Sequence, residues 1–308
     1  MLIIAVGDSG VIERTIRENS IDAAGITVKH APGVFNMEDN PLSMRRRDND
    51  TSMAVGLNLL AAGEGDAFVS AGSTGALVMG GIFLVKRLAG VKKPAIGSVM
   101  PGDNGPFMLV DSGADIDCTP KSLHTFAVMG DVYMSSVMGV ERPRIALANI
   151  GVEKTKGTKL YVQAYELLSA DSGLNFTGNA EIRDIPFTAA DVIVADGFTG
   201  NVILKMYEGT AKAILNNIKA IFKSGITTKI SYLGVKSGFD AFKTKMDYKE
   251  YGGAPILGLK LPVIKAHGSS DARTFKNAVR QARDFAQSGV TQKLAARLDG
   301  EDVQQDDV

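Results

Sequence analysis

The sequence contains a glycine-rich loop, Gly72-Ser73-Thr74-Gly75, at the point where an apolar segment gives way to a helical pattern. Glycines let a ligand approach the backbone closely, and the first amide groups of a helix are unpaired and carry the positive end of its dipole. The loop is therefore a candidate for binding an anion, although a tight connection in which Ser73 or Thr74 caps the helix explains it as well. Its spacing fits neither GxxxxGK[ST] nor GxGxxG, so the sequence does not indicate a nucleotide site.

A second loop follows the apolar residues 145–149 and contains Glu153, Lys154, Lys156 and Gly157. A lysine in this position can neutralise a phosphate or a developing oxyanion as a point charge. A solvated charged turn explains the same residues equally well. Lys156 lies beside a glycine and just before a helical pattern, so we select it as the candidate catalytic lysine, with Glu153 as a neighbouring substrate contact.

His267 is one of three histidines and follows the apolar residues 262–266. With Ser269 two residues further on, it could act as a general acid or base, or help to hold an anion. Ordering of its own loop through capping is an equally good interpretation. His124 lies among apolar residues in a helical pattern, where we expect it to pack in the core.

Acceptor side chains follow two further apolar segments, with Asp111 and Asp115 after the first and Asp196 and Asn201 after the second. Paired carboxylates can bind a metal, but no ligand spacing here demands one, so we expect neither a metal nor a cofactor. The sequence has no GxSxG motif, and its single cysteine, Cys118, lies among residues that look structural. We therefore expect no covalent enzyme intermediate.

Short apolar segments followed by helical patterns recur along the chain and must position these loops. The segments are residues 2–6, 67–70, 107–110, 145–149, 192–195 and 262–266. This alternation predicts an α/β fold with a largely parallel sheet covered by helices. In such sheets ligands bind beyond the carboxyl ends of the strands, where the loops described above should lie.

Composition excludes several classes of protein. The 308 residues are 45% hydrophobic, and 34 basic side chains balance 34 acidic ones, so no overall charge indicates a nucleic-acid partner. One cysteine cannot form an internal disulfide, which fits a reducing, cytosolic compartment. The N-terminus does not resemble a signal peptide, and no apolar run approaches the roughly 18–20 residues of a membrane span.

Residues 212–249 are rich in lysine interleaved with apolar and aromatic side chains. An anionic membrane surface attracts a basic amphipathic segment of this kind, by about 1 kcal/mol per lysine near the surface. The candidate membrane contacts are Ile226, Ile230, Tyr232, Leu233, Val235 and Phe239. An ordinary helical hairpin, or an element that packs in a dimer, is the alternative interpretation.

Several longer strings of residues resemble the bacterial phosphate acyltransferase family of phospholipid synthesis, the PlsX family. They run over nearly the whole chain and include DAFVSAGSTGAL at 66–77, GPFMLVDSGADIDC at 105–118, ADGFTGNV at 195–202, YKEYGGAPILGL at 248–259 and IKAHGSSDARTFKN at 264–277. So many matching strings in order are far more specific than a single glycine loop.

The resemblance implies a three-layer Rossmann-like sandwich similar to the isocitrate/isopropylmalate dehydrogenase type. It implies one domain over residues 1–308, a protruding helical hairpin at about 212–249, and a homodimer. The implied reaction converts acyl-[acyl carrier protein] and inorganic phosphate to acyl phosphate and free carrier protein. A membrane glycerol-3-phosphate acyltransferase would then use the acyl phosphate, and the enzyme would associate peripherally with the inner face of the cell membrane.

The sequence also departs from the family pattern. Family members usually begin with an extra strand that carries a DAMGGD-like motif, so we expect one strand–loop–helix unit of about 30 residues to be missing here. Ser73 and Asp115 stand where asparagine is usual, and Val152 stands where glutamate is frequent. These differences should affect activity more than fold.

Our mechanistic hypothesis is direct attack of phosphate on the thioester carbonyl, assisted by positioning and by stabilisation of the oxyanion. Lys156, His267, Asp196 and Asn201 are the candidate catalytic residues. The candidate phosphate or substrate contacts are Gly72, Ser73, Thr74, Gly75, Asp111, Glu153 and Ser269. The basic run Arg45, Arg46 and Arg47 is the candidate docking patch for the acidic carrier protein.

Three other functions remain open. A phosphate acyltransferase could use coenzyme A thioesters instead of the carrier protein. A dehydrogenase on the related fold is disfavoured by the lack of a dinucleotide fingerprint. A non-catalytic, membrane-associated scaffold would fit the missing N-terminal unit.

Overall fold

The computed structural model describes residues 1–46, 48–187, 190–245 and 248–299. The chain divides into two compact units, one made of Met1–Pro94 and Gly252–Val308 and the other of Ala95–Tyr251. The interpretation of residues 1–308 as one domain stays a prediction.

The first unit contains two small sheets. Strands β1 (Ile3–Gly7) and β2 (Ile26–His30) pair in parallel around helix α1 (Ser9–Glu18). Strands β3 (Phe68–Ser70), β10 (Val263–Lys265) and β9 (Ala254–Leu257) form the other sheet, in which the middle strand β10 is parallel to β3 and antiparallel to β9. Its other helices are α2 (Ser52–Ala61), α3 (Thr74–Gly80), a π-helix (Gly81–Val85), α8 (Ala272–Gln287), α9 (Val290–Leu298) and a 3-10 helix (Pro41–Arg45).

The second unit contains five neighbouring strands in the order β4-β5-β8-β6-β7. The strands are β4 (Ala95–Met100), β5 (Phe107–Val110), β6 (Arg144–Asn149), β7 (Asn175–Glu181) and β8 (Val192–Val194). All neighbours pair in parallel except β4, which is antiparallel to β5. Its helices are α4 (Pro120–Ser136), α5 (Lys159–Ala170), α6 (Gly197–Lys223) and α7 (Ile226–Lys245), with 3-10 helices at Ile182–Phe187 and Tyr248–Tyr251.

Strands β5 and β8 are apolar because they form the buried centre of the second unit. Every residue of β5 and β8 is buried, as is expected of parallel strands that are covered on both faces. Helix α4 is buried over most of its length and packs against them. It approaches so closely that a β-carbon on Gly130 would lie 2.5 Å from the Val192 side chain.

Polar caps fix where several helices begin. The Thr119 hydroxyl accepts a hydrogen bond from the Ser122 amide and completes a capping box at the start of α4. The carboxylates of Asp8 and Asp271 and the hydroxyl of Thr51 cap α1, α8 and α2 in the same way. Such caps satisfy amide groups that have no partner within the helix.

The predicted alternation of strands and helices is confirmed at all six apolar segments, and the α/β class is therefore correct. Strands β2, β4, β7 and β9 were not predicted. The His124 side chain is 13% exposed, so it lies at the margin of the core as expected, and its Nε2 lies 2.9 Å from an Asp171 carboxylate oxygen.

Helices α6 and α7 form the predicted hairpin, joined by Ser224 and Gly225. The rings of Phe222, Tyr232 and Phe239 pack together between the helices, with centroids 5.0–6.1 Å apart. No residue of α7 is buried. Within the described chain, no helix combines the length and the apolar character that a membrane crossing requires.

Candidate active site

The carboxyl ends of β5, β8 and β6 lie side by side, because these neighbouring strands run in parallel. Asp111 follows β5, Asp196 lies two residues beyond β8, and Asn149 ends β6. The predicted site residues of the second unit therefore gather at one edge of its sheet, as expected for an α/β fold.

Asp111 organises the loop after β5. Its fully buried carboxylate accepts hydrogen bonds from the backbone amides of Ile96, Gly113, Ala114 and Asp115, at 2.7–3.0 Å. Burial raises the pKa of this carboxyl to about 6, although the four amides oppose the shift. Because backbone amides surround both oxygens, the structure gives Asp111 a loop-ordering role, and contact with substrate stays a prediction.

Asp196 caps the start of α6. Its Oδ1 accepts from the amides of Phe198 and Thr199 at 3.0 Å, and its Oδ2 accepts from the Thr199 hydroxyl and the Tyr161 phenol at 2.6 Å. Burial alone would raise the pKa of the Asp196 carboxyl, but the hydrogen bonds from Thr199 and Tyr161 outweigh it and hold that pKa below its ordinary value. Asp196 is therefore a fixed negative charge that orients the first turn of α6.

Asn201 connects that first turn to the loop after β5. Its Nδ2 donates a 3.0 Å hydrogen bond to the carbonyl oxygen of Ser112. A β-carbon on Gly113, whose φ is +137°, would lie 2.5 Å from this nitrogen, and one on Gly200 would lie 1.8 Å from the Asp111 carbonyl oxygen. The GFTGN segment is therefore locked onto the Asp111 loop, with no room for side chains at these glycines.

The buried side chain of Asn149 fixes the backbone of the loop that contains Lys156. Its Nδ2 donates to the Lys156 carbonyl at 3.0 Å, and its Oδ1 accepts from the Ile150 amide at 2.8 Å. Gly157 has a φ of +92°, and a β-carbon there would lie 2.8 Å from Asn149 Oδ1. The backbone of Lys156 is thus fixed while its side chain is exposed, which suits a lysine that has to meet an anionic ligand.

Glu153 lies in the same loop and is exposed. Its carbonyl oxygen accepts from the Lys156 amide at 3.0 Å and from Asn179 Nδ2 at 2.9 Å. The Glu153 carboxylate lies over Gly151, where a β-carbon would approach it to 2.8 Å. Asn149 and Asn179 were not predicted as parts of the site, although the position of Asn149 at the end of an apolar strand was an available signal.

In the first unit, the glycine-rich loop follows β3. The Ser73 hydroxyl accepts from the Ala76 amide at 3.4 Å and caps α3, and Thr74 is the first residue of that helix. Gly72 donates to the Ser70 hydroxyl, and a β-carbon on it would lie 2.6 Å from Met53. A β-carbon on Gly75 would lie 3.2 Å from Pro41. The capping interpretation of this loop is confirmed, and the anion-binding interpretation stays a prediction.

His267 orders the loop after β10. Its Nδ1 accepts a hydrogen bond from the Ser269 amide at 3.1 Å and lies 2.8 Å from the Ser269 hydroxyl. Because an N–H group donates to Nδ1, the proton of the neutral ring lies on Nε2. A β-carbon on Gly268 would be 3.9 Å from the Ala71 carbonyl oxygen, so the loops after β3 and β10 lie next to each other.

The candidate docking patch lies at the end of the 3-10 helix Pro41–Arg45. Arg45 and Arg46 are both exposed and border a shallow depression together with Leu42. The Arg45 guanidinium also lies 5.9 Å from the centre of the Phe83 ring. Arg47 falls outside the described residues.

Four of the six candidate membrane contacts are exposed. Ile226 and Leu233 are 79% and 72% exposed, and Ile230 and Val235 are also open to solvent. Tyr232 and Phe239 are half-buried, because they belong to the aromatic cluster between the two helices of the hairpin.

The single cysteine is not activated. Cys118 Sγ donates to the carbonyl oxygen of Asp115 at 3.2 Å. Burial, followed by the charge of Asp115, raises the pKa of its thiol well above the ordinary value, so that the thiol stays protonated at neutral pH. In the described ranges, no three His, Cys, Asp or Glu side chains are grouped so that they could hold a metal ion.

Comparisons with known proteins agree with these features. The profile of a family described as fatty acid synthesis protein matches residues 1–293. A phosphate acyltransferase from Thermoanaerobacterium thermosaccharolyticum is 41% identical over 303 residues, which are 98% of this chain and 90% of that protein. One from Clostridium acetobutylicum is 42% identical over 297 residues, which are 96% of this chain and 89% of that protein.

Two solved structures show a related fold. The EutD phosphotransacetylase from Staphylococcus aureus superposes with a TM-score of 0.59 at 15% identity, covering 92% of this chain and 86% of that one. A phosphotransacetylase from Streptococcus pyogenes gives the same TM-score at 17% identity, covering 92% and 85%. At these identities the likeness supports the fold alone.

Proposed function

Because the chain belongs to the fatty acid synthesis protein family, and its curated relatives are phosphate acyltransferases, we propose that it forms acyl phosphate from acyl-[acyl carrier protein] and inorganic phosphate. Membership of this family makes the chain an acyltransferase. The choice of acyl donor, the acyl phosphate product and its use in phospholipid synthesis are the proposal.

One observation carries the catalytic part of the proposal. The exposed side chain of Lys156 projects from a backbone that Asn149 fixes at the carboxyl end of β6. Phosphate is already a nucleophile, so the protein has to position it and to stabilise the charge that develops in the transition state. A phosphate oxygen attacks the thioester carbonyl, a C–O bond forms, and the tetrahedral oxyanion collapses with cleavage of the C–S bond. The leaving thiolate takes up a proton.

Lys156 stabilises the oxyanion or the incoming phosphate in this proposal. Asn201 and Asp196 orient the first turn of α6, and in the first unit His267 and the Gly72–Gly75 backbone are the proposed substrate contacts. The protonated Cys118 thiol supports direct attack, since a cysteine acts as a nucleophile through its thiolate.

The partners in the proposal follow from surface charge. Arg45 and Arg46 are exposed cations that suit docking of an acidic carrier protein. The exposed apolar residues of the hairpin lie among lysines, which suits peripheral contact with an anionic membrane on the cytoplasmic side. A homodimer, a downstream membrane glycerol-3-phosphate acyltransferase and the isocitrate/isopropylmalate dehydrogenase type of fold complete the proposal.

The test is an incubation of the purified full chain with palmitoyl-[acyl carrier protein] and phosphate, with acyl phosphate trapped by hydroxylamine. We expect phosphate-dependent hydroxamate. A parallel reaction with palmitoyl-coenzyme A decides between the two acyl donors. Preference for coenzyme A would contradict the proposed donor, and no product from either thioester would contradict the proposed reaction and favour a scaffold.

A further inference from the structure

Lys265 occupies an unusual position at the carboxyl end of β10, which lies between β3 and β9. It is paired in register with Ser70 on β3 and with Ala254 on β9. Paired residues on neighbouring strands point to the same face of a sheet, so the Lys265 side chain shares a face with the Ser70 hydroxyl. That hydroxyl accepts the Gly72 amide at the start of the glycine-rich loop. No role was predicted for Lys265 from the sequence.

The ammonium group of Lys265 has no counter-charge. Its Nζ donates to the carbonyl oxygen of the adjacent Ala266, and no carboxylate pairs with it within the ranges that the structure describes. Burial is the cause of the lowered pKa of this lysine, with no contribution from a charged neighbour. Lys265 is half-buried, and lysines are rarely withdrawn from water without an ionic partner, because the charge loses part of its hydration.

The surroundings of Lys265 consist of loops rather than acidic groups. The Ala266 amide donates to the Ser70 carbonyl at 2.9 Å, which holds the end of β10 against the end of β3. The loop that follows contains Ser270, whose buried hydroxyl oxygen has no hydrogen-bond partner in the described chain. Buried hydroxyls are nearly always satisfied in folded proteins, so this oxygen marks a place where a ligand or water completes the structure.

We infer that Lys265 binds the phosphoryl anion of a substrate at the carboxyl ends of β3 and β10. The inference rests on the proposed function, because that reaction offers two sources of such an anion: inorganic phosphate and the phosphodiester of the carrier's pantetheine arm. The ligand supplies the missing counter-charge, and the three donor hydrogens of the ammonium group suit a tetrahedral oxyanion. In this inference Lys265 is a substrate-binding residue of the first unit, and it does not replace Lys156 as the candidate catalytic lysine.

Calorimetric titration of inorganic phosphate into the full chain tests the inference without any turnover. The informative variants are Lys265→Met, which keeps the length of the side chain and removes its charge, and Lys265→Arg, which keeps the charge. Lys260→Met is the matched control, because Lys260 is exposed and precedes β10 at its opposite end. Thermal melting checks that each variant is folded, and methionine at the half-buried position 265 should be tolerated.

We expect Lys265→Met to weaken phosphate binding at least tenfold, Lys265→Arg to retain part of it, and Lys260→Met to bind like the wild type. Titration with 4′-phosphopantetheine distinguishes the sources: a Lys265-dependent affinity for this compound and not for phosphate assigns the anion to the carrier arm. Equal affinity of the wild type and Lys265→Met for both compounds would overturn the inference, as would a wild type that binds neither.

Turnover measurements separate this inference from the proposed function. In the hydroxylamine assay, Lys265→Met should raise KM for the substrate that carries the anion, with a smaller change in kcat. If the wild type formed no acyl phosphate, the proposed function would fail, but the titrations would still decide whether Lys265 binds a phosphoryl group.

Discussion

The Tyr161 phenol donates a 2.6 Å hydrogen bond to the Asp196 carboxylate and so ties the first turn of α5 to the first turn of α6. These two helices follow β6 and β8, the strands whose ends carry Lys156 and Asn201. The phenol is buried, and burial raises its pKa above the ordinary value, followed in effect by the hydrogen bond to Asp196. Tyr161 is thus a positioning residue for the candidate site.

Tyr161→Phe should destabilise the protein and leave Asp196 less acidic. The carboxylate loses a donor, and a hydrogen bond to a charged group contributes about 1.5–3 kcal/mol. The depressed pKa of Asp196 stabilises the fold above its ordinary range near 4, and that stabilisation is lost as the pH falls through the folded-state value. Urea unfolding at pH 7 and at acid pH should therefore show a larger difference between the two proteins at pH 7. A difference that does not change with pH would contradict the coupling.

Asp111 should titrate near pH 6, far above an ordinary aspartate. Because the folded state binds this proton more tightly than the unfolded chain, the free energy of unfolding should fall by about 3 kcal/mol as the pH rises from about 4 through 6. Carboxyl-carbon NMR shifts measured against pH would show this midpoint directly. Asp196 is the internal control, since it should titrate below its ordinary value; a midpoint below 4.5 for Asp111 would contradict the prediction.

Lys156→Ala should lower turnover at least a hundredfold and leave the melting temperature within about 2 °C, because its exposed side chain contributes charge rather than packing. Lys154→Ala is the matched control: Lys154 is an exposed lysine of the same loop, and its loss should change turnover less than threefold. The hydroxylamine assay and a thermal melt measure both quantities. Equal effects of the two substitutions would remove Lys156 from the site.

Gly157→Ala should destabilise the protein by about 1–3 kcal/mol. The backbone at this position has a φ of +92°, and the added β-carbon would lie 2.8 Å from the Asn149 side chain that holds the Lys156 loop. Gly65→Ala is the control, since a β-carbon there meets no atom within 4 Å and the backbone is not in the left-handed region. Chemical denaturation compares the two, and turnover should fall for Gly157→Ala alone.

The double substitution Ile226→Ser and Leu233→Ser should reduce binding to anionic vesicles at least tenfold, since both side chains are exposed on the hairpin. Val202→Ser is the control, because Val202 is an exposed apolar residue near the start of α6, at the opposite end of that helix from the turn that precedes Ile226. Sedimentation with phosphatidylglycerol vesicles at low and high salt measures the binding. Unchanged sedimentation of the double variant would exclude this surface as the membrane contact.

The strands that the sequence predicted share one property. Each is an apolar run that ends at a glycine or a polar residue, as in Phe107–Val110. The sequence therefore shows both that the segment is buried and where the strand ends. Strand β7 has the sequence NFTGNAE, in which polar residues interrupt the run, and it lies at the edge of the sheet where burial is incomplete. In β4, Gly97 and Ser98 interrupt the apolar run although every residue is buried. Composition therefore identified the strands with an uninterrupted apolar run, whereas strands whose run is broken by glycine or polar residues were missed.

Prediction of the site residues from the sequence was limited in a similar way. The loops that carry Lys156, Asp196 and His267 were predicted, because small and polar residues follow buried strands there. The partners of those residues were not predictable, since Tyr161 and Asp196 are 35 residues apart, with two strands and a 3-10 helix between them. Lys265 was overlooked because a lysine at a strand end usually reaches solvent, and only the folded chain shows that it is half-buried.

Helix α7 has no buried residue, whereas every residue of strands β5 and β8 in the same unit is buried. Packing on α6 rests largely on three aromatic rings, so opening of the hairpin costs far less than global unfolding. Amide protons of Ile226–Lys245 should consequently exchange with deuterated water through a local event, while those of β5 and β8 wait for the whole second unit to open. Limited proteolysis should cut there first, and a membrane that shields the hairpin should slow both the exchange and the cleavage.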